Sequence, residues 1–412
     1  GTKPDVMQNL FSSNQSLGFL DVMTGGSFSR MSIFALNITP YITASIILQL
    51  LTIAIPRLEE MQKDGEDGRK KINEYTRYLS IALAVIEGAA IVIGFRNQGL
   101  FGTDNPQSSM TTAIVVAVAA LTAGAAFMMW LGEQITEKGV GNGISIILLI
   151  NIVARIPNDL SNLYQNYVAK PTDVTSKIIA AVIILAIIVA MFVFIVFLQD
   201  GERRIPVQYA KKIQGHKVSG GQSSHIPLKV NTAGVIPVIF ASSMMSLPVV
   251  IASFAGIQPK TGPDATFFQK FLTLCNQSDW CKIGSFAEFK YTLGLLIYIG
   301  LVIFFAYFYT SVTFNPLEIS NNMKKQGGFI PGIRPGKPTT EYLTTVLNSI
   351  IFLGAIGMVI VCALPIFFSG AFGADVSFSG TSLIIVVGVV IETIKQIESL
   401  VLVRHYKGFL GN

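Results

Sequence analysis

Charge is what this sequence has least of. Asp, Glu, Lys and Arg make up 13% of its 412 residues, against about a quarter in a soluble globular protein. So small a polar supply does not cover the surface of a soluble chain of this length, and long apolar segments must face lipid instead. The 51% of hydrophobic residues fits that reading. It also excludes disorder. Cysteine and histidine are scarce, at three each, which excludes a disulfide framework and leaves no metal-spaced His or Cys cluster. Missing too are a Walker loop, a Gly-rich dinucleotide turn and a Ser/His/Asp arrangement, so neither a catalytic constellation nor a cofactor or metal site is expected. Ionisable groups are rare even inside the apolar stretches. Glu87 is the one acid in the middle of a stretch; Arg155, Glu392, Lys395 and Glu398 stand near ends, where long side chains reach the interface.

Apolar runs are what the sequence has in abundance. Nine stretches have few charges over roughly the length of a membrane span: 40–56, 78–95, 111–131, 143–157, 178–198, 231–254, 291–313, 342–367 and 380–402. The segments 40–56 and 143–157 are short for a hydrocarbon layer of about 30 Å, so each must continue into a neighbouring element or sit inside a bundle. With connections assigned alternately to two sides, 20 of the 30 Lys and Arg fall on one side, which marks it as cytoplasmic. The chain then starts outside, ends inside, and is expected to follow a transmembrane helix that precedes Gly1. Cys362 lies in a span and reads as packing; Cys275 and Cys281 share an external loop, where a pairing is open but spacing alone does not establish it.

Three further regions stand out. The segment 17–38 is too polar and Gly-broken to span, and it suits either a re-entrant short helix or an amphipathic surface helix. Loops 199–230 and 314–341 exceed simple connectors and mix basic residues with Pro, Gly and apolar anchors. Such loops suit either anionic lipid headgroups or a cytosolic machine and its RNA phosphates. "NITPYITASI" at 37–46 and "VIPVIFASS" at 235–243 place Ile42, Ile46 and Ile239 beside the helix breakers Pro40 and Pro237. Ordinary membrane-helix packing covers most of this pattern, with a pore lining as the alternative. On the residues alone, a polytopic secondary transporter of a small solute and a channel are both open.

The stretches "SIFALNITPYITASIILQLL", "MWLGEQITEKGVGNGISII", "HIPLKVNTAGVIPVIFASS" and "NNMKKQGGFIPGIRPGKPT" closely resemble the bacterial SecY family of protein-conducting channels, in order along the whole chain. The resemblance implies an all-α polytopic membrane protein of two inversion-related five-helix halves, with nine of the ten family helices present here. It divides the chain into an external segment 1–39, helices of the N-terminal half at 40–157, an external hinge at 158–177, the C-terminal half at 178–402 and a cytoplasmic tail at 403–412. It implies a constriction ring of Ile42, Ile46, Leu148, Ile152, Ile239 and Ile385, with Leu148 standing where relatives often carry Ile. A short plug helix at about 20–34 would carry Leu20, Gly25, Gly26, Phe28 and Phe34. A lateral gate would open near Pro40, Ser45, Glu87, Ser242 and Ser243, and docking would use Arg203, Arg204, Lys211, Lys212, Lys217, Arg334 and Lys337. The implied partners are the small membrane subunits SecE and SecG, the SecA motor, the ribosome, the preprotein with its signal sequence, lipids and, further out, YidC and SecDF. The implied activity is passive passage of unfolded preproteins across a bacterial plasma membrane.

Overall fold

The computed structural model describes residues 21, 24–96, 107–165, 174–209, 212–214, 217–219, 223–254, 257, 265–276, 280, 292–372 and 380–409. Helix α1 (Thr39–Ala54) carries Pro40 in its first turn, where the missing N–H has no intrahelical acceptor to lose. It stops at Ile55, which is extended (φ −113°, ψ 108°) as residues preceding proline are. Pro56 then opens α2 (Pro56–Lys63), bent by 105° from α1. The apolar stretch expected over 40–56 therefore ends at a proline-imposed corner.

Helices α3 (Glu66–Arg96), α4 (Gln107–Lys138) and α5 (Gly143–Leu163) follow. Asn142 caps α5, its side-chain oxygen accepting from the N–H groups of Ile144 at 3.1 Å and Ser145 at 3.4 Å. Gly143 is needed for close approach, since a Cβ there would lie 1.9 Å from the carbonyl oxygen of Gly132. After α6 (Val174–Asp200) come strands β1 (Glu202–Tyr209), β2 (Lys212–Gln214), β3 (Lys217–Ser219) and β4 (Ser223–Lys229). Then come α7 (Ile236–Phe254), α8 (Phe267–Cys275), α9 (Leu293–Thr313), α10 (Pro316–Lys325), β5 (Gly328–Phe329), α11 (Lys337–Phe372) and α12 (Gly380–Phe409).

Each of the nine expected stretches contains a helix, but the helices are unequal. Among the described residues five are long and apolar enough to cross a membrane, or six if the bent α1–α2 pair is one span, while Gly143–Asn158 and Ile236–Val249 are shorter apolar helices. The stretch expected from 231 begins its helix only at Ile236, because Asn231 closes a turn by donating to the carbonyl of Gly234 at 2.9 Å. The most apolar window of Ala181–Asp200 buries only 17% of its residues. Its outward Leu185, Val189 and Phe197 are exposed, which lipid accommodates and water does not.

The helices pack around two separate cores. One joins Phe28, Met31, Ala35 and Leu36 to Ala84, Ile91, Val92 and Phe95 of α3 and Leu121 and Ala125 of α4. The larger one joins Ile195 and Leu198 of α6, Phe240 and Met245 of α7, Tyr298 and Val302 of α9, Met358 of α11 and Ile384 of α12. Cys275 and Cys362 are buried in this second core, and Cys281 lies outside the described residues.

Residues 199–230 and 314–341, which read as loops, fold into more than loops. β4, β1 and β5 form an antiparallel sheet in that order, with Ile205 facing Ile226 and Gln208 facing Phe329. Alternation along β1 buries Ile205 and Val207 and exposes Arg204, Pro206 and Gln208. The buried face packs with Leu228, Met323, Ile330, Leu343 and Ile350 into a core of its own. The membrane part is all-helical as expected; the addition is this sheet outside it.

Candidate functional site

A cavity of about 470 Å³ opens among α1, α3, α4, α5, α7 and α12. Its mouth, where α3 begins and α4 ends, is polar, with Gln49, Asn73, Arg77, Glu133, Glu137 and Asn142 in the wall. The Arg77 guanidinium pairs there with the Glu133 carboxylate, Nε to Oε1 2.5 Å, tying α3 to α4. Deeper in, the wall becomes aliphatic, with Ile42, Ile46, Leu148, Ile239, Ile385 and Val389.

The aliphatic floor is a third apolar cluster, between the two cores. Leu148 and Ile152 of α5, Ile239 of α7 and Ile385 of α12 are buried in it, with Ile42 of α1 packed against them. Five of the six residues assigned to the ring thus converge from α1, α5, α7 and α12. The sixth, Ile46, lines the cavity but packs on the larger core. Ile38, Ile147 and Val389 join the cluster without having been singled out. Val389 was within reach of sequence reasoning, since it stands one turn from Ile385 on the same helix face.

Beyond the floor lies the segment assigned to the plug. Leu20 falls outside the described residues. Gly25 and Gly26 have φ of +66° and +81°, and a Cβ on Gly25 would lie 3.3 Å from the Cα of Asn151 on α5. The segment is therefore pressed onto α5 at Asn151, one residue before Ile152. Phe28 is buried on α3 and α4, while Phe34 is exposed with its ring 6.1 Å from that of Phe127. A short plug helix was implied; Asp21 is helical, while residues 24–31 run as consecutive turns. Two adjacent residues in the left-handed region break a helix there. The Asp21 carboxylate pairs with the Arg155 guanidinium on α5, a contact across 134 residues of sequence that nothing in the sequence signals.

The gate residues do not gather at one point. α3 packs against α7, which makes a seam between the two cores. Pro40 lines a small gap with Asn37, Ser80 and Met129, and Ser45 lines the cavity. Ser242 faces into the second core, its hydroxyl 3.2 Å from that of Tyr298 on α9. Ser243 and Glu87 are half-buried, and Glu87 is seven residues past Ser80, about 10 Å along α3.

Of the docking residues, Arg203, Arg204, Arg334 and Lys337 are exposed. Arg204 is partly engaged by Glu202, Nε to Oε1 2.7 Å. Arg334 is presented by a tied loop: its carbonyl accepts from the Thr339 hydroxyl at 2.8 Å, and Ser320 donates to the carbonyl of Gly336 at 3.0 Å. Lys212 and Lys217 stand on the β2–β3 hairpin, and Lys211 lies outside the described residues.

Fold and site together define a polytopic helical membrane protein whose central cavity is floored by an aliphatic cluster set between its two cores. Comparisons with known proteins narrow that class. A family model described as SecY matches residues 32–394. The protein translocase subunit SecY of Streptomyces scabiei is 44% identical over 97% of this chain and 88% of its own length. That of Halalkalibacterium halodurans is 42% identical over 100% of this chain and 91% of its own. Among solved structures, a protein-conducting channel superposes with a TM-score of 0.60 at 18% identity, covering 92% of this chain and 84% of that one. The channel of a canine ribosome–channel complex from the endoplasmic reticulum does so with a TM-score of 0.57 at 17% identity, over 92% and 84%. The chain belongs to the SecY family.

Proposed function

We propose that this chain is the pore subunit of a Sec protein translocase in a bacterial plasma membrane. It is a passive channel that conducts unfolded preproteins and releases apolar segments sideways into lipid. The observation that carries this reading is the cavity that narrows onto Ile42, Leu148, Ile239 and Ile385. A floor of flexible aliphatic side chains excludes ions by dewetting, yet widens around an extended chain without demanding a sequence. Ile46 and Ile152 complete the ring above and below it. Segment 20–34 acts as the plug on the far side.

The seam between α3 and α7 supports a lateral gate, with Pro40, Ser45, Glu87, Ser242 and Ser243 near it. There an apolar segment gains a few tenths of a kcal/mol for each large aliphatic residue that enters lipid. The sheet and the tied loop around Arg334 support docking of SecA or of the ribosome, which supply the work. Arg203, Arg204, Lys211, Lys212, Lys217 and Lys337 assist, and SecE, SecG, YidC and SecDF are its membrane neighbours. The bias of Lys and Arg supports a docking face and a C-terminus on the cytoplasmic side.

Photo-cross-linkers placed at Ile42, Ile152, Ile239 and Ile385 test the reading with a preprotein arrested in transit. Adducts from all four and none from the outward Val115 are expected. Equal labelling at Val115, or none at the four, overturns it.

A further inference from the structure

We infer that Asp21 and Arg155 are positioning residues for gating, an ion-pair latch that seats the plug segment on α5; this rests on the plug reading above. Asp21 organises the segment from within. Its Oδ1 accepts from the N–H of Ser29 at 2.9 Å, and its main-chain oxygen accepts from the N–H of Gly26 at 2.9 Å and from the Thr24 hydroxyl at 3.3 Å. Its other carboxylate oxygen, Oδ2, is turned to Arg155. One side chain therefore both shapes the turn and fixes it to the channel wall. The Asp21 side chain is 8% exposed and that of Arg155 23%.

The place of Arg155 gives the pair its meaning. Leu148, Ile152 and Arg155 are spaced i, i+4 and i+7 along α5, so they follow one face of that helix. The latch is three residues, about 4.5 Å of helix, beyond the last ring residue. The rest of the segment is held by apolar contact, Phe28 and Met31 on α3 and α4. Apolar contact alone positions a segment loosely, whereas a buried pair of opposite charges has one favourable geometry and penalises an unpaired partner. Once the pore fills with water both ions are hydrated, so the penalty applies to leaving the seat and not to staying away. Such a pair favours two discrete states, shut and open.

The test uses the purified complex in planar bilayers. Asp21→Asn and Arg155→Gln should each raise resting ion leak on the order of tenfold, because either change removes the ion pair that seats the segment, and Arg155→Gln also leaves the buried Asp21 carboxylate without its guanidinium. The double variant should leak no more than either single one, and Arg155→Lys should keep the seal. Wild-type leak in both single variants, or additive leak in the double, overturns the latch. A thiol cross-linker between Asp21→Cys and Arg155→Cys, with Cys275, Cys281 and Cys362 replaced by Ser, should hold the channel shut to preprotein; free passage through the cross-linked channel also overturns it. Deletion of residues 24–34 separates the two readings. If the deletion leaks while Asp21→Asn stays tight, the latch alone fails; if the deletion stays tight, the plug reading fails with it.

Discussion

At the scale of single residues, the proposed seal falls first to Ile239 and Ile385, because both are buried in the floor and come from different helices. An amide placed there without a partner costs about 1–3 kcal/mol, roughly one to two decades in population. Hydration in an opened pore relieves that cost. Ile239→Asn or Ile385→Asn should therefore raise resting conductance and pass preproteins with defective signal sequences. Wild-type conductance together with wild-type stringency counts against the ring. Cys275 makes a second residue-scale prediction. Burial pushes its thiol above the ordinary value of 9.0, so the neutral thiol persists and alkylation at pH 8 should be slow until the protein is unfolded. Below pH 9.0 both folded and unfolded thiols are largely protonated, so this group leaves stability unchanged near neutrality. Above that value the unfolded thiol ionises first, and stability falls as pH rises. Rapid native alkylation at pH 8 would show the site to be open. The ring positions were reachable from the sequence only through the family resemblance, since isoleucine in a membrane helix has no distinguishing mark of its own. The Asp21–Arg155 pair was out of reach even so.

Elements were legible where a single segment decides its own structure. α1 stops where Ile55 precedes Pro56, and α5 begins where Asn142 caps it, both from local chemistry. The sheet was not legible for the opposite reason. β1 contains Pro206, β4 contains Pro227 and β5 is two residues long. β1 and β4 become strands by pairing with each other, from Glu202 with Lys229 to Gln208 with Ser223, and β5 by pairing across more than 100 residues, Phe329 with Gln208. The consequence is that two stretches read as independent loops are one body with a buried apolar side. Val207→Asp would bury a lone carboxylate against Leu228 and Met323, a change costing several kcal/mol. Proteolytic nicking within 199–230 should increase sharply while the helices remain intact in the membrane. Protease resistance equal to the parent would mean that the sheet core contributes little.

At the scale of the whole molecule, two cores meet across a thin aliphatic layer and a separate sheet stands outside. Arg334 belongs to this scale because its loop is tied to α10 and α11 while its guanidinium is exposed. Arg334→Glu should abolish motor-driven or ribosome-linked export and leave the channel folded and inserted. Export at the parental rate would remove Arg334 from the docking face. α5 meets the cavity mouth, the floor and the far-side segment with Ile144, Leu148 and Arg155. These positions span eleven residues, about 16 Å of continuous helix. A rod of that length needs no relay: a tilt of about 10° at one end displaces the other by about 3 Å, more than an ion pair tolerates. On the proposed function, a motor or signal sequence that tilted α5 at the cavity mouth would thus loosen the Asp21–Arg155 pair at the far end of the same helix by leverage.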